Sequence, residues 1–319
     1  MNKLFQDRPT QRFVRVLFSG RGLVWLAYLG VVLIWATTPL AIQWGTLDTG
    51  FAFAAVTRMF IALVCCLLVL YLCGIRLPRH RRALLSYLVA GGGLFVAMLS
   101  VYWAARHLDS GLMSVIFGLS PLVTSLLAAF WLEERLLNPT RLLGMALGVV
   151  GLGMVFIDDG LQLTEGAPAG IAVLLFAVLV NAATLVGLKR IADDSAPLAT
   201  TAGSLLVAAP LFLLAWWVDG AALPAQLSWR GSLSILYLAL FGSVLGFALY
   251  YYIVRRLDSA QVALILVITP LLALLVGQRF NGEQLPPQVW LGAVVIGLGL
   301  LLHQRGNRAV AAPQGVSDR

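Results

Sequence analysis

The chain has 319 residues, of which 60% are hydrophobic and 11% charged, and its mean hydropathy is +0.91. A soluble domain keeps about a quarter of its residues charged so that its surface is wetted. This composition therefore excludes a soluble globular fold and points to lipid as the solvent. The net charge of +8 does not indicate nucleic acid, because the basic residues flank apolar segments, where membrane insertion sorts them.

An apolar run of about 20 residues crosses the hydrocarbon core as a helix. The first run, near 23–43, follows Lys3, Arg8, Arg12, Arg15 and Arg21. It is too long for a signal-peptide core, and Gln43-Trp44-Gly45 offers no good small-residue cleavage site, so it reads as the first transmembrane helix. Residues 10–21 mix Phe13, Val14, Leu17 and Phe18 with arginines, which suits a segment lying along the membrane surface. Further spans are expected near 52–74, 84–106, 110–131 and 141–158, then near 167–188, 198–218, 231–254, 259–278 and 287–303. The fold class is thus an all-α integral membrane protein of ten helices. The expected organisation is an N-terminal segment over 1–22, five-helix repeats over 23–158 and 167–303, and a flexible tail over 304–319.

Lysine and arginine set the expected orientation. With the N-terminus inside, eighteen of the 22 basic residues fall on the inner side and only Arg106, Arg230 and Arg279 in outer loops. That asymmetry predicts cytoplasmic termini. The remaining basic residue, Arg58, lies within the second span.

Enzymatic chemistry has little to stand on. Cys65, Cys66 and Cys73 share one apolar segment without metal or redox spacing, and His80, His107 and His303 are scattered. No phosphate loop or nucleophile elbow occurs. No cofactor and no metal are expected.

The chain contains an internal repeat. Residues 102–134 match 251–283 at a constant offset, with ten identities that include Leu108-Asp109-Ser110 with Leu257-Asp258-Ser259, Pro121 with Pro270, and Glu134 with Glu283. One residue is then deleted, and Pro139 pairs with Pro287, Gly144 with Gly292 and Gly151 with Gly299; upstream, Gly93 pairs with Gly242. A unit of five helices forces its second copy to enter the membrane upside down. Inverted repeats of this kind build secondary transporters, because two similar halves can exchange inward-open and outward-open shapes. Asp109-Ser110 and Asp258-Ser259 also read as helix N-caps, and Pro139 and Pro287 suit first helical turns. Glu134 and Glu283 read as loop anchors rather than substrate ligands.

Leu119-Ser120-Pro121-Leu122 with Glu133-Glu134-Arg135-Leu136, and Ile268-Thr269-Pro270-Leu271 with Gly282-Glu283, together with Trp35-Ala36 and the downstream Arg58, resemble the EamA branch of the drug/metabolite transporter superfamily. The resemblance covers residues 24–303. It implies a ten-helix exporter or facilitator of amino acids or other small metabolites in a bacterial inner membrane. It also implies a central cavity between spans one, three, four, six, eight and nine, with spans five and ten peripheral. In the second half Asn181-Ala182 stands at the place of Trp35-Ala36, so the two halves differ chemically.

Polar groups inside the membrane are costly and call for a role. Trp35 falls in the middle of the first span and shares a face with Tyr28 and Thr38, which suits either a metabolite site or simple packing. Arg58 has the reach to snorkel to the outer surface, the favoured reading; turned inward instead, it suits a carboxylate. In the fourth span Ser110, Ser114, Gly118, Pro121 and Ser125 form a small-residue stripe, which serves close helix packing and, at the bend, a cavity. Pro121 and Pro270 each free a backbone carbonyl one turn earlier. Asn181 and Thr184 share a face of the sixth span that must meet a helix or a substrate, and at most one or two rings of Tyr250-Tyr251-Tyr252 can face a cavity. The candidate cavity residues are therefore Trp35, Thr38, Arg58, Ser114, Gly118, Pro121, Asn181, Thr184, Tyr250, Thr269 and Pro270. No Asp or Glu lies in mid-span, which favours facilitated export or exchange over strict proton antiport. The expected partners are a small-molecule substrate and membrane lipids, not nucleic acid, with the chain a monomer or weak homodimer. A lipid flippase or a non-transporting sensor of the same fold are the alternatives.

Overall fold

The computed structural model of the protein describes residues 21–132, 139–155, 165–257 and 259–311. Ten helices run through them: α1 (Arg21–Thr49), α2 (Phe51–Cys73), α3 (Arg81–Ala104), α4 (Ser110–Trp131) and α5 (Pro139–Val155). They continue with α6 (Ala167–Ile191), α7 (Pro197–Val218), α8 (Trp229–Val254), α9 (Ser259–Asn281) and α10 (Pro287–Ala311). Nine are long and apolar enough to cross a membrane, and the shorter α5 is the tenth.

The helix starts follow the repeat. Ser110 and Ser259 open α4 and α9, and Pro139 and Pro287 open α5 and α10. Proline costs nothing at a first turn, where its missing N–H has no partner to lose. Gly50, at φ +87°, turns the chain between α1 and α2, and Gly74, at φ 64°, ends α2 in the left-handed region where a Cβ would be strained. The expected end of the first span near residue 43 falls short, because α1 runs on to Thr49 and carries Gln43 and Trp44 inside it.

The packing repeats with the sequence. α3 lies on α6 and α7, while α8, its counterpart, lies on α1 and α2. α5 and α10 form the most extensive helix pair of the fold, and their glycines explain why. A Cβ on Gly144 would stand 2.5 Å from the carbonyl oxygen of Gly299, and one on Gly151 would stand 2.8 Å from that of Gly292. Because Gly144 is equivalent to Gly292 and Gly151 to Gly299, each contact is the image of the other under exchange of the halves. The bare backbones make the close approach on which membrane helix packing depends.

Two further self-paired contacts join α2 with α7 and α4 with α9. The first part of α4, Ser110–Phe117, packs on α9, whereas the second part, Ser120–Trp131, leaves α9 for α6. α4 and α9 are thus in contact at the end carrying the α1–α2 turn and diverge towards the opposite end.

Candidate functional site

Arg58 sits in the first part of α2, about 10 Å along the axis from its start at the 1.5 Å rise of a helix. It does not snorkel. Its side chain is folded inwards and the residue is only 5% exposed. Nε donates to the Ser243 hydroxyl at 3.1 Å and Nη1 to the Tyr102 hydroxyl at 3.4 Å. The reason is the neighbouring helix: snorkelling was favoured by side-chain length, but α8 offers a buried acceptor closer than the surface. No carboxylate among the described residues pairs with Arg58.

α8 is shaped for this contact. Residues Leu238–Leu245 wind as a π-helix, and the Ser243 hydroxyl donates to the Leu238 carbonyl at 3.1 Å. Such wide turns are rare and concentrate at functional positions. Gly242 and Gly246 lie one turn apart and turn bare backbone towards α1. A Cβ on Gly242 would lie 3.6 Å from Arg58 Nη2 and 3.8 Å from the Thr38 hydroxyl, and one on Gly246 would lie 3.4 Å from the Trp35 indole nitrogen. The Trp35 ring tilts over Tyr250 with centroids 5.0 Å apart and meets Phe247 edge-on at 6.3 Å. Beside them Thr37 and Tyr237 share a 2.6 Å hydrogen bond. The structure thus brings Trp35, Thr38, Arg58 and Tyr250 together along the α1–α8 seam.

The other candidate residues are divided between two places. Gly118 lies at the α4–α9 crossing, where a Cβ would stand 3.3 Å from the Pro270 ring, and Ser114, one turn earlier, is buried. Pro121 interrupts α4: Gly118 and Leu119 form a turn, with the Leu119 N–H bonded to the Ile116 carbonyl at 3.1 Å. Pro270 stays inside a continuous α9, and Thr269 donates its hydroxyl to Ile265 at 2.6 Å within its own helix. Thr184 donates to the Val180 carbonyl at 2.8 Å, and its side chain fills the space over Gly93 of α3. That contact is the image of Thr38 over Gly242. Asn181, half-buried on the same helix, donates to no described residue.

The end where α4 and α9 meet is sealed by a buried polar network. Glu283, 5% exposed, accepts the Ser110 N–H at 3.0 Å, the Ser110 hydroxyl at 2.6 Å and the Gly111 N–H at 3.0 Å. Asn281 donates to Glu283 at 3.0 Å and to Gln43 at 2.9 Å, and accepts the Trp44 indole N–H at 2.8 Å. Gln43 in turn donates to the Leu108 carbonyl at 3.0 Å. Glu283 is therefore the anchor that its position suggested. The expected side-chain cap from Asp109 is not made, because the distant Glu283 takes the free N–H groups of α4. Glu134 and Asp258 lie outside the described residues. Asp109, in the loop before α4, keeps much of its surface open; partial burial, then the charge of Glu283, pushes its pKa up to about 6.

At the opposite end His80 caps α3 by accepting the Ala83 N–H, and its Nε2 stands 3.6 Å from Asp193, tying two loops together. An apolar groove of about 400 Å³ runs between α2 and α7, walled by Phe53, Val56, Phe60, Leu213 and Trp216. It carries no charged group to receive a lipid headgroup.

Ser243, Tyr102, Gln43 and Asn281 were not singled out from sequence. The signals in reach were their polarity within apolar runs and, for Tyr102, its repeat as Tyr251, and their partners on other helices lie far away in the chain.

The profile of the EamA-like transporter family matches residues 21–157 and 168–303, one copy to each half. A "Probable terminal-alkyne amino-acid exporter" from Streptantibioticus cattleyicolor is 28% identical over 92% of this chain and 97% of its own. An "Uncharacterized inner membrane transporter YedA" from Escherichia coli K12 is 28% identical over 88% of this chain and 90% of its own. A solved crystal structure 18% identical in sequence superposes with a TM-score of 0.64, covering 92% of this chain and 100% of that one, and so shares the fold. With both five-helix halves matched, this multi-pass membrane protein belongs to the EamA-like transporter family and is a transporter, not an enzyme.

Proposed function

We propose that the protein is a secondary exporter or facilitator of small organic metabolites, amino acids or related compounds, working by alternating access between its two inverted halves. The observation that carries this reading is the geometry of α4 and α9: joined through Glu283 at one end, parted at the other. A helix pair joined at one face and parted at the opposite one fits half of an alternating-access cycle, and the pseudo-symmetry supplies the other half by exchange of the two repeats. The description of the Streptantibioticus cattleyicolor relative as a probable amino-acid exporter supports the substrate class. The protein resides in the bacterial inner membrane, with both termini cytoplasmic as the lysine and arginine distribution argues, and acts as a monomer or weak homodimer. Trp35, Thr38, Arg58 and Tyr250 form the main part of the substrate site. Ser114, Gly118, Pro121, Thr269 and Pro270 form the crossing about which the halves move, and Asn181 and Thr184 the opposite wall.

Counterflow in proteoliposomes tests this. Vesicles loaded with each of a panel of amino acids should take up the same labelled compound transiently and saturably. Uptake of no compound by protein shown to be folded contradicts the reading.

A further inference from the structure

Burying a guanidinium costs several kcal/mol unless an opposite charge or a full set of acceptors replaces its water. Among the described residues Arg58 has neither. Its hydrogen-bond partners there are two neutral hydroxyls, and that of Ser243, which sends its own proton to the Leu238 carbonyl, meets Arg58 as an acceptor. Nη2 has no acceptor among the described residues, and it faces the bare Cα of Gly242, where an added Cβ would still be 3.6 Å away. The Thr38 hydroxyl borders the same point at 3.8 Å.

One turn along the seam the character changes. The Trp35 indole nitrogen lies over Gly246, its N–H donates to no described residue, and its ring is backed by Tyr250. A cation and a hydroxyl at one point, with an aromatic wall about 5 Å further along the helix axis, fit an anionic group attached to an apolar body.

The repeat shows that the charge is specific to one half. Ser204 occupies in α7 the place that Arg58 occupies in α2, counted from the helix start, and Asn181 replaces Trp35. A residue needed only to join helices would be expected in both copies. The cation and the aromatic wall instead occur together, in the same half.

We infer that Arg58, held by Ser243 and Tyr102 and bordered by Thr38 and Trp35, is a carboxylate-binding subsite. Its ligand is the carboxylate of an amino acid or of a related organic acid with an apolar side group. The inference rests on the transport reading for the ligand's route to the site. Ser243 and Tyr102 are positioning residues, setting the guanidinium at the edge of the space beside Gly242.

Binding and flux are measured separately, so that the two can fail separately. Detergent-purified protein is melted in the presence of L-leucine, L-methionine, L-phenylalanine or L-tryptophan, and of the primary amide of each. One or more of the acids should raise the melting temperature in a saturable manner, and its amide should require at least tenfold more for the same effect. R58Q should abolish the acid-over-amide preference and R58K should retain part of it. Y102F and S243A, conservative enough to keep the fold, should each raise the half-saturating acid concentration about threefold or more. Equal effects of acid and amide, an acid preference that survives in R58Q, or no effect of any acid overturns the subsite. Flux of amides as readily as acids in proteoliposomes overturns it too, and leaves transport standing. Acid-selective binding without flux establishes the subsite and removes the transport reading instead.

Discussion

Glu283, just past the end of α9, takes both the backbone N–H and the hydroxyl of Ser110, the first residue of α4. The second half of the chain thereby caps a helix of the first half, at 5% exposure and with no basic residue needed. The partial positive charge of a helix N-terminus supplies what a cation otherwise would. E283A leaves two backbone N–H groups and a hydroxyl without acceptors in a buried place, each costing about 1–3 kcal/mol. We expect a large drop in melting temperature, and more frequent opening of this face. E283Q keeps one acceptor oxygen and should fall between E283A and wild type in the same melting experiment.

The α5–α10 seam makes a sharper prediction about shape. A single methyl group in G144A or G299A meets a carbonyl oxygen at 2.5–2.6 Å, so the two helices must move apart. Overpacking of this kind costs about 1–3 kcal/mol. G153A, on the open side of α5 with nothing within 4 Å, should leave the melting temperature unchanged or slightly raised. Equal effects of all three substitutions would mean that the seam is not the tight contact described.

Asp109 gives a pH dependence with a defined sign. Its pKa is raised from 3.8 to about 6, first by partial burial and then by the charge of Glu283. A carboxyl raised in the folded state binds protons more readily there than in the unfolded chain. Its contribution to stability is therefore complete below about 3.8 and is lost as pH rises through about 6. D109N should be more stable than wild type at pH 7.5, and the difference should shrink between pH 6 and pH 4. Melting curves of the two proteins across that range check the sign.

Trp35 is predicted to act through its ring. W35A removes the surface that Tyr250 and Phe247 pack against and should reduce counterflow at least tenfold, by loss of the wall and of the packing behind it. W35F keeps an aromatic face without the N–H and should retain more flux than W35A. Wild-type flux in W35A would remove this residue from the site.

The fold was largely legible because its signals are local: apolar runs fix the spans, and proline and serine in register fix the helix starts. The repeat aligned Gly144 with Gly292 and Gly151 with Gly299, but that Gly144 meets Gly299 and Gly151 meets Gly292 across α5 and α10 emerges only from the packing. Arg58 was less legible. Snorkelling and burial look alike along one helix, and what decides between them is Ser243, a residue 185 positions away. The π-helix that presents Ser243 has no mark in Leu238–Leu245 beyond a glycine and a serine. Asp109-Ser110 reads as a self-contained cap, yet the acceptor is Glu283, because a carboxylate arriving from α9 can take both N–H groups at once.

The most direct test of the central claim is the separation of α4 and α9 at their two ends, with and without substrate. Spin labels at Asp109 and Gln284 report the sealed end, and labels at Phe130 and Leu264 report the parted end, after replacement of Cys65, Cys66 and Cys73. Pulsed EPR on the labelled protein in lipid should show a short distance for the first pair and a long one for the second. Addition of a compound that undergoes counterflow should lengthen the first distance and shorten the second in the same fraction of molecules. Distances that stay fixed at both ends, in protein that carries flux, would contradict alternating access by the two halves.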